Sequence, residues 1–536
     1  MIVDRMRLAV CAAGVIVAAG VGWMWPGRRA EAAGGGISVA GLARVGTVDA
    51  RYQSYNIEMV EVTGGRFWRP YADVARAEKA QEGRSGNQPA GLNPALFEYR
   101  PPLDLRQTRL RKLAAALGPA YVRVSGTWAN TTYFDDSGKA PEKAPEGFNG
   151  VLTGQQWKGV VDFARAVNAK IVTSFAVSAG TRGPDGVWTP KEASKLVSYT
   201  RSIGGSIAAA EYMNEPTFAA MGGAPKGYDA SAYARDVAEF RKFAKQAAPE
   251  MIVLGPGSVG EGIALGPVQA GILRSEDLLQ ATGDAFDAFS YHFYGAVSSR
   301  CGSMRGATGH AATTTPEAAL TEDWLSRTDR VEAFYAGLRD RYEPGKPMWL
   351  TETGEAACGG DRWASTYIDS FRYLNQLGSL AKKGVQVVAH NTLSASDYAL
   401  LDEKTLEPRP NYWAALLWRR LMGTTVLDAG TAPEAGLHVY AHCLAGKPGG
   451  VALLVLNTDR SAAKSLAIDA AAERYTLTAE ELESGRVKLN GRELRLGAND
   501  ALPELRGESV KAGTMEFAPA SITFLAVEEA KNESCR

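Results

Sequence analysis

Two short segments hold the residues best suited to chemistry: Tyr212-Met213-Asn214-Glu215-Pro216 and Trp349-Leu350-Thr351-Glu352-Thr353. Each places a glutamate just after a short apolar run that reads as a buried strand. Two carboxylates at the ends of two strands of one barrel are the minimum equipment for breaking a glycosidic bond. The expected roles are general acid/base for Glu215 and nucleophile for Glu352. Carboxyls about 5–5.5 Å apart would give double displacement with retention at the anomeric carbon. Asn214, next to the acid, is placed to hydrogen-bond a sugar 2-hydroxyl, a contact that strengthens in the transition state. Taken singly, Asn-Glu-Pro is most often a turn and Thr-Glu-Thr an exposed strand end. It is their joint placement that points to catalysis.

The elements that must position them alternate along the chain. Eight strands are expected at Tyr55–Val60, Tyr121–Val124, Ile171–Ala176, Ala209–Met213, Ile252–Leu254, Ala288–Tyr291, Pro347–Thr351 and Val385–Ala389. Amphipathic stretches separate most of them. Leu110, Leu113 and Leu117 share one face of a helix expected over Leu103–Leu117, which Gly118-Pro119 ends. Val160, Phe163, Ala164 and Val167 repeat the pattern, as do Ala234, Val237, Phe240 and Phe243. The expected fold class is therefore α/β, a (β/α)8 TIM barrel over residues 54–423 with its active site at the strands' C-terminal ends. An open doubly wound sheet is the rival, but no glycine-rich nucleotide fingerprint follows the first strand. Residues 72–102 are polar and rich in Gly, Asn and Pro, and read as an exposed loop. From 424 to 536 strand-like runs alternate with turn signals, Asn490-Gly491 being a strong hairpin turn, so a β-sandwich domain is expected there. Residues 34–53 are read as an N-terminal strand segment joining that β domain.

Lys+Arg and Asp+Glu are both 59, which gives a formal net charge of zero. That argues against a nucleic-acid partner, whose capture depends on a basic surface. Arg5 and Arg7 precede an apolar run from Leu8 to Trp25, and Ala30-Glu31-Ala32 resembles a small-residue cleavage site. Residues 1–33 thus read as a signal peptide, with an uncleaved membrane anchor as the alternative. Export makes disulfides plausible among Cys301, Cys358, Cys443 and Cys535, which allow three pairings. His438 and His442 form an HxxxH. On a strand the two would stand roughly 13 Å apart, and Val439 occupies the place where a zinc protease has glutamate. No catalytic metal and no cofactor are expected.

At this point the sequence resembles a known family. Asn-Glu-Pro after the fourth strand and a glutamate ending the seventh resemble the retaining (β/α)8 glycosidases. More specifically, the chain is similar to glycoside hydrolase family 79, the heparanases and β-glucuronidases. The ordered series Pro119–Thr127, Tyr291-His292-Phe293-Tyr294, Thr351-Glu352-Thr353, Asp397–Asp402, Asn411-Tyr412-Trp413 and Val487–Gly491 carries the likeness. The resemblance implies Glu215 as acid/base and Glu352 as nucleophile. It implies that Tyr294 holds the nucleophile and that His292 lines the same subsite. Backbone amides of Cys358, Gly359 and Gly360 would receive a uronic acid carboxylate, with Tyr398 assisting. Glu58, for which Glu61 is a competitor, would meet a sugar hydroxyl, and Thr127 would face substrate. Cys443 and Cys535 match a family disulfide. Pairing of Cys301 with Cys358 stays open.

The resemblance has gaps. Gly295–Leu320 does not follow the heparanase pattern, and the two large basic clusters that hold sulfated chains are not evident. The segment 72–102 is shorter than the family's processed linker, which argues for one uncut chain. The implied partner is a uronic-acid-containing oligo- or polysaccharide, cut by an exported β-glucuronidase of heparanase type. A retaining glycosidase for neutral sugars and a non-catalytic carbohydrate-binding surface protein are the alternatives. Exo and endo action are not distinguished.

Overall fold

Strands whose two faces are both covered must be apolar on one and satisfied on the other, and eight such strands close into a barrel. In the computed structural model, which describes residues 36–77, 93–139, 141, 143–262, 272–301, 314–430 and 434–536, these are β1 (Gln53–Glu58), β2 (Ala120–Ser125), β3 (Ala169–Ser174), β4 (Ile207–Glu211), β5 (Ile252–Ser258), β6 (Ala288–Val297), β7 (Met348–Ala357) and β8 (Val387–His390). Each pairs in parallel with its neighbours, and β8 closes on β1. The expected (β/α)8 barrel is present, and each expected strand overlaps an observed one. Tyr121, Val172, Ala209, Leu254, Ala288, Trp349 and Val387 pack into one layer inside it, with the Tyr121 and Trp349 rings 4.8 Å apart. Side chains alternate faces, so two residues further along the next inward positions are Arg123 on β2 and Glu211 on β4. An apolar floor thus carries a polar layer.

β6 and β7 run past the expected ends, Tyr291 and Thr351, and stay paired as far as Val297 and Ala357. Their extensions carry His292, Tyr294 and Glu352, polar residues that hide a strand from a reading by apolar runs. Glu352 accordingly lies inside β7 instead of ending it.

The barrel helices start and stop for local reasons. Gly154–Ala166 begins on a capping box in which the Thr153 hydroxyl accepts from Gln156 N at 3.2 Å and Gln156 Oε1 accepts from Thr153 N at 2.8 Å. The helix expected over Leu103–Leu117 forms only over Thr108–Ala116. Leu103 N–H is bonded to Glu61 O at 2.7 Å, and Asp104 Oδ1 accepts from Arg106 N at 3.0 Å, so local turns replace its first part. The segment 72–102 is not simply an exposed loop. Tyr71–Ala77 is helical, and Phe97–Arg100 pairs antiparallel with Gly65–Trp68 because Phe97 is fully buried there. Residues 78–92 lie outside the described residues.

The remaining strands form an antiparallel β domain. Its main sheet has nine strands, and the N-terminal strand Arg44–Thr47 joins it beside Met422–Leu427. Alternation gives the sheet two different faces. Leu453, Val455, Leu525 and Val527 pack with Leu466, Met515 and Phe517 of a second, two-stranded sheet. Leu454, Leu456, Ile522 and Phe524 belong instead to the barrel's own core. Helix Tyr367–Lys382, nearly all of it buried, lies at this junction, where a Cβ at Gly378 would stand 2.3 Å from the Tyr440 ring. Asn490 and Gly491 both have positive φ and turn Lys488–Leu489 into Arg492–Glu493. No helix among the described residues is long and apolar enough to cross a membrane. The segment 1–33 lies outside them.

Candidate active site

Strict alternation along β7 would turn Glu352 outward, since Trp349 and Thr351 face the axis. A bulge changes the phase. Leu350 pairs with Tyr291 and Glu352 with His292, so β7 has one residue more than β6. Against β8 the register slips the same way, between Leu350/Val388 and Thr353/His390. Thr351 and Glu352 therefore both point inward, a known use of bulges near active sites. Tyr294 Oη donates to Glu352 Oε1 at 2.7 Å, and Arg123 Nη1 donates to Oε2 at 2.8 Å. The carboxylate is fixed at both oxygens.

Glu215 follows β4 in the left-handed region, at φ 49° and ψ 66°. A clamp imposes this conformation: Asn130 Oδ1 accepts from Asn214 N, and Asn130 Nδ2 donates to Asn214 O, both at 2.9 Å. Asn214 Oδ1 accepts from Arg123 Nη2 at 2.8 Å. His292 Nδ1 donates to Glu215 Oε1 at 3.1 Å. Oxygens of Glu215 and Glu352 and a ring nitrogen of His292 lie within 4.8 Å of one another. Burial, with the charge of Glu352, pushes the Glu215 pKa up, although the His292 bond opposes the shift. A carboxyl whose pKa is raised in this way is suited to act as an acid.

Beneath the pair lies a buried charge cluster. Arg123 Nη2 donates to Glu211 Oε2 at 2.8 Å, and Thr351 Oγ1 donates to Oε1 at 2.7 Å. Burial alone would raise the Glu211 pKa, but Arg123 and His292 hold it well below the usual carboxylate range. His292 Nε2 stands 3.2 Å from Arg123 Nη2 and 3.7 Å from Glu211 Oε1. Burial by itself lowers the His292 pKa; the charge of Glu352, with bonds to Glu211 and Glu215, outweighs it and brings the pKa to about 9.

The other wall of the cleft is built from β1, β8 and the turn after β8. Asn391 Nδ2 donates to Glu58 Oε1 at 3.1 Å, to Tyr294 Oη at 2.9 Å and to Tyr398 Oη at 3.1 Å. Glu58 Oε2 is buried without a protein partner, and a Cβ at Gly126 (φ +89°) would collide with it. Burial and the Glu352 charge raise the Glu58 pKa well above normal. Glu61 sits behind the wall, where its Oε2 accepts from Glu58 N at 2.7 Å.

Of the residues singled out in the sequence, Glu58, Thr127, Glu215, His292, Tyr294, Glu352, Cys358 and Tyr398 line this one cleft. Gly359 and Gly360 do not. They are buried behind it at positive φ, their carbonyls accepting from Ser396 Oγ at 2.8 Å and Ser298 Oγ at 2.9 Å. Asn214 supports the cleft from below. Cys358 is bonded to Cys301, and Cys443 to Cys535, with Cα–Cα distances of 6.4 and 5.3 Å. Arg123, Glu211 and Asn391 were not singled out. The first two had a signal: a charge at an inward position of a strand needs a partner inside the barrel. Asn391 lies beyond the last apolar run and had none.

A metal ion would find oxygen and nitrogen donors in Glu215, His292 and Glu352. It would have to displace Arg123 from Glu352 and the His292 proton from Glu215. His438 and His442 are engaged separately, with Glu322 at 3.0 Å and with Gly423 O at 2.6 Å.

A closed parallel barrel with two facing carboxylates at its C-terminal rim defines the glycoside hydrolase class. Residues 102–378 match the model of the glycosyl hydrolase family 79 N-terminal domain, and the chain belongs to that family. It is 27% identical over 479 residues to a hyaluronoglucuronidase of Hirudo nipponia, covering 81% of this chain and 92% of that one. It is 37% identical over 209 residues to a baicalin-β-D-glucuronidase of Scutellaria baicalensis, covering 37% and 40%. Among solved structures, a 4-O-α-L-rhamnosyl-β-D-glucuronidase of Fusarium oxysporum superposes with a TM-score of 0.58, covering 91% of this chain and 97% of that one at 14% identity, a likeness of fold.

Proposed function

We propose that this chain is a retaining β-glucuronidase. The observation that carries the reading is the pair Glu215 and Glu352, oxygens within 4.8 Å, one carboxyl raised in pKa and the other fixed by Tyr294 and Arg123. An approach this close favours direct attack over the interposed water of an inverting enzyme. Glu352 attacks the anomeric carbon while Glu215 gives its proton to the departing oxygen. Glu215, now anionic, takes a proton from water, whose oxygen displaces Glu352 and regenerates both groups. Tyr398, Asn391 and Glu58 form the polar end of the cleft and hold the uronic acid ring. The substrate is a β-linked glucuronide, and the parent compound an oligo- or polysaccharide or another conjugate. Two disulfides fit an exported protein, with residues 1–33 as its signal or anchor.

Hydrolysis of an aryl β-glucuronide beside the matching glucoside, with Glu352→Gln as control, tests this. Glucuronide turnover that the substitution abolishes is expected. Turnover of the glucoside alone would remove the uronate assignment. Turnover of neither, with hyaluronan and heparan sulfate also intact, would leave a carbohydrate-binding protein.

A further inference from the structure

The cleft has two chemically different ends. The end formed after β7, β8 and β1 carries the hydrogen-bonding groups Tyr398, Asn391 and Glu58, beside Trp68 and Cys358. The end formed after β4 and β5 presents Phe218, Met221 and Val259, with Glu261 beside them turned to Ser275 N. Phe218 and Met221 are partly exposed, and none of these three side chains belongs to a hydrophobic core formed among the described residues. An apolar side chain that lines a cleft without packing into a core keeps surface for a ligand to cover.

Their position relative to the reacting atoms is fixed. Pro216–Phe218 is a 3-10 turn that starts at Glu215, and Phe218 N donates to Glu215 O at 2.9 Å. Thr217, fully buried, ties this turn to the one after β5: its hydroxyl donates to Val259 O at 3.1 Å and accepts from Val259 N at 3.2 Å. The three apolar side chains therefore line the cleft on the acid's side. In the double displacement the acid is the group that meets the leaving oxygen, so whatever hangs on that oxygen lies against them.

Charge points the same way. No lysine or arginine among the described residues lines the cleft, whereas Glu58, Glu215, Glu261 and Glu352 do. A sulfated or carboxylated chain extending over the acid would find no lysine or arginine among the described residues to pair with.

We infer that the leaving-group subsite, formed by Phe218, Met221 and Val259, takes an uncharged apolar aglycone, an aromatic alcohol or phenol in preference to a sugar. This rests on the glucuronidase reading and names its substrate class.

The test compares benzyl β-glucuronide with β-glucuronosyl-(1→6)-glucose. Both release primary alkoxides, so the comparison reads binding instead of leaving-group acidity. With the full chain, kcat/KM should favour the benzyl compound by about 10-fold or more, the size of effect that burying one ring against apolar side chains gives. Phe218→Ala and Met221→Ala should each cut that ratio by about 3- to 10-fold, chiefly through a lower kcat/KM on the benzyl compound. Unchanged melting temperatures for both variants would confirm that the fold is intact. Equal rates on the two substrates, a ratio indifferent to both substitutions, or faster cleavage of hyaluronan or heparan sulfate than of the benzyl compound would each overturn the inference and leave the glucuronidase reading standing. Turnover of no glucuronide would overturn both.

Discussion

Arg123 is the residue on which most of the site depends. Its guanidinium bonds Glu211, Glu352 and Asn214 in a place that is 1% exposed. Removing it leaves two buried carboxylates with His292 as their remaining cationic neighbour, a loss typically worth about 3–5 kcal/mol. Arg123→Met should lower unfolding free energy by about that amount in denaturant titration. A loss under about 1 kcal/mol would mean the carboxylates find other partners. His292 makes a pH-dependent prediction. Its folded pKa of about 9 lies above the unfolded value of about 6.5, so the folded state binds the proton more tightly. The resulting stabilisation is fully present below about pH 6.5 and is lost as pH rises through about 9, on the order of 3 kcal/mol in all. Denaturant titrations from pH 6 to 10 should show this decline, and His292→Gln should flatten it. Equal slopes in both proteins would contradict the assignment of the proton to His292.

At the scale of elements, the strands were legible and their phases were not. Apolar runs located all eight barrel strands, because burial between floor and helices demands them. They could not reveal the bulge in β7, since one extra residue leaves composition unchanged while turning Glu352 from the helices to the axis. The ends of β6 and β7 were cut short because His292, Tyr294 and Glu352 interrupt the apolar runs. The paired segments Gly65–Trp68 and Phe97–Arg100 were hidden by the Gly-rich stretch between them. Arg123 and Glu211 were readable as inward charges, whereas Gly359 and Gly360, expected at the substrate, brace the wall from behind. A glycine does have a strict part at Gly126. There a methyl group would strike Glu58 Oε2 and the backbone is left-handed, so Gly126→Ala should push Glu58 off Asn391. A rise in KM of about 10-fold or more, with a melting temperature several degrees lower, is the expected result. Unchanged kinetics would take Glu58 out of the substrate's surroundings.

For the whole molecule, one face of the β domain and the barrel helices share a single core. Leu454, Leu456, Ile522 and Phe524 pack in the same cluster as the helices Tyr367–Lys382 and Pro410–Leu421. Calorimetry should therefore show barrel and β domain melting in one transition, and two well-separated peaks would contradict a shared core. The bridge between Cys443 and Cys535 spans 92 residues, and in the chain-entropy account its loss costs about 4–5 kcal/mol.

A covalent bond from Glu352 to a glucuronyl group can be measured directly. The protein is incubated with 2-deoxy-2-fluoro-β-glucuronyl fluoride, digested and mapped by mass spectrometry. One fluoroglucuronyl group is expected on the peptide carrying Glu352, with none on the Glu352→Gln variant. A label on Glu215 or elsewhere, or turnover of a glucuronide to an inverted product with no label, would contradict it.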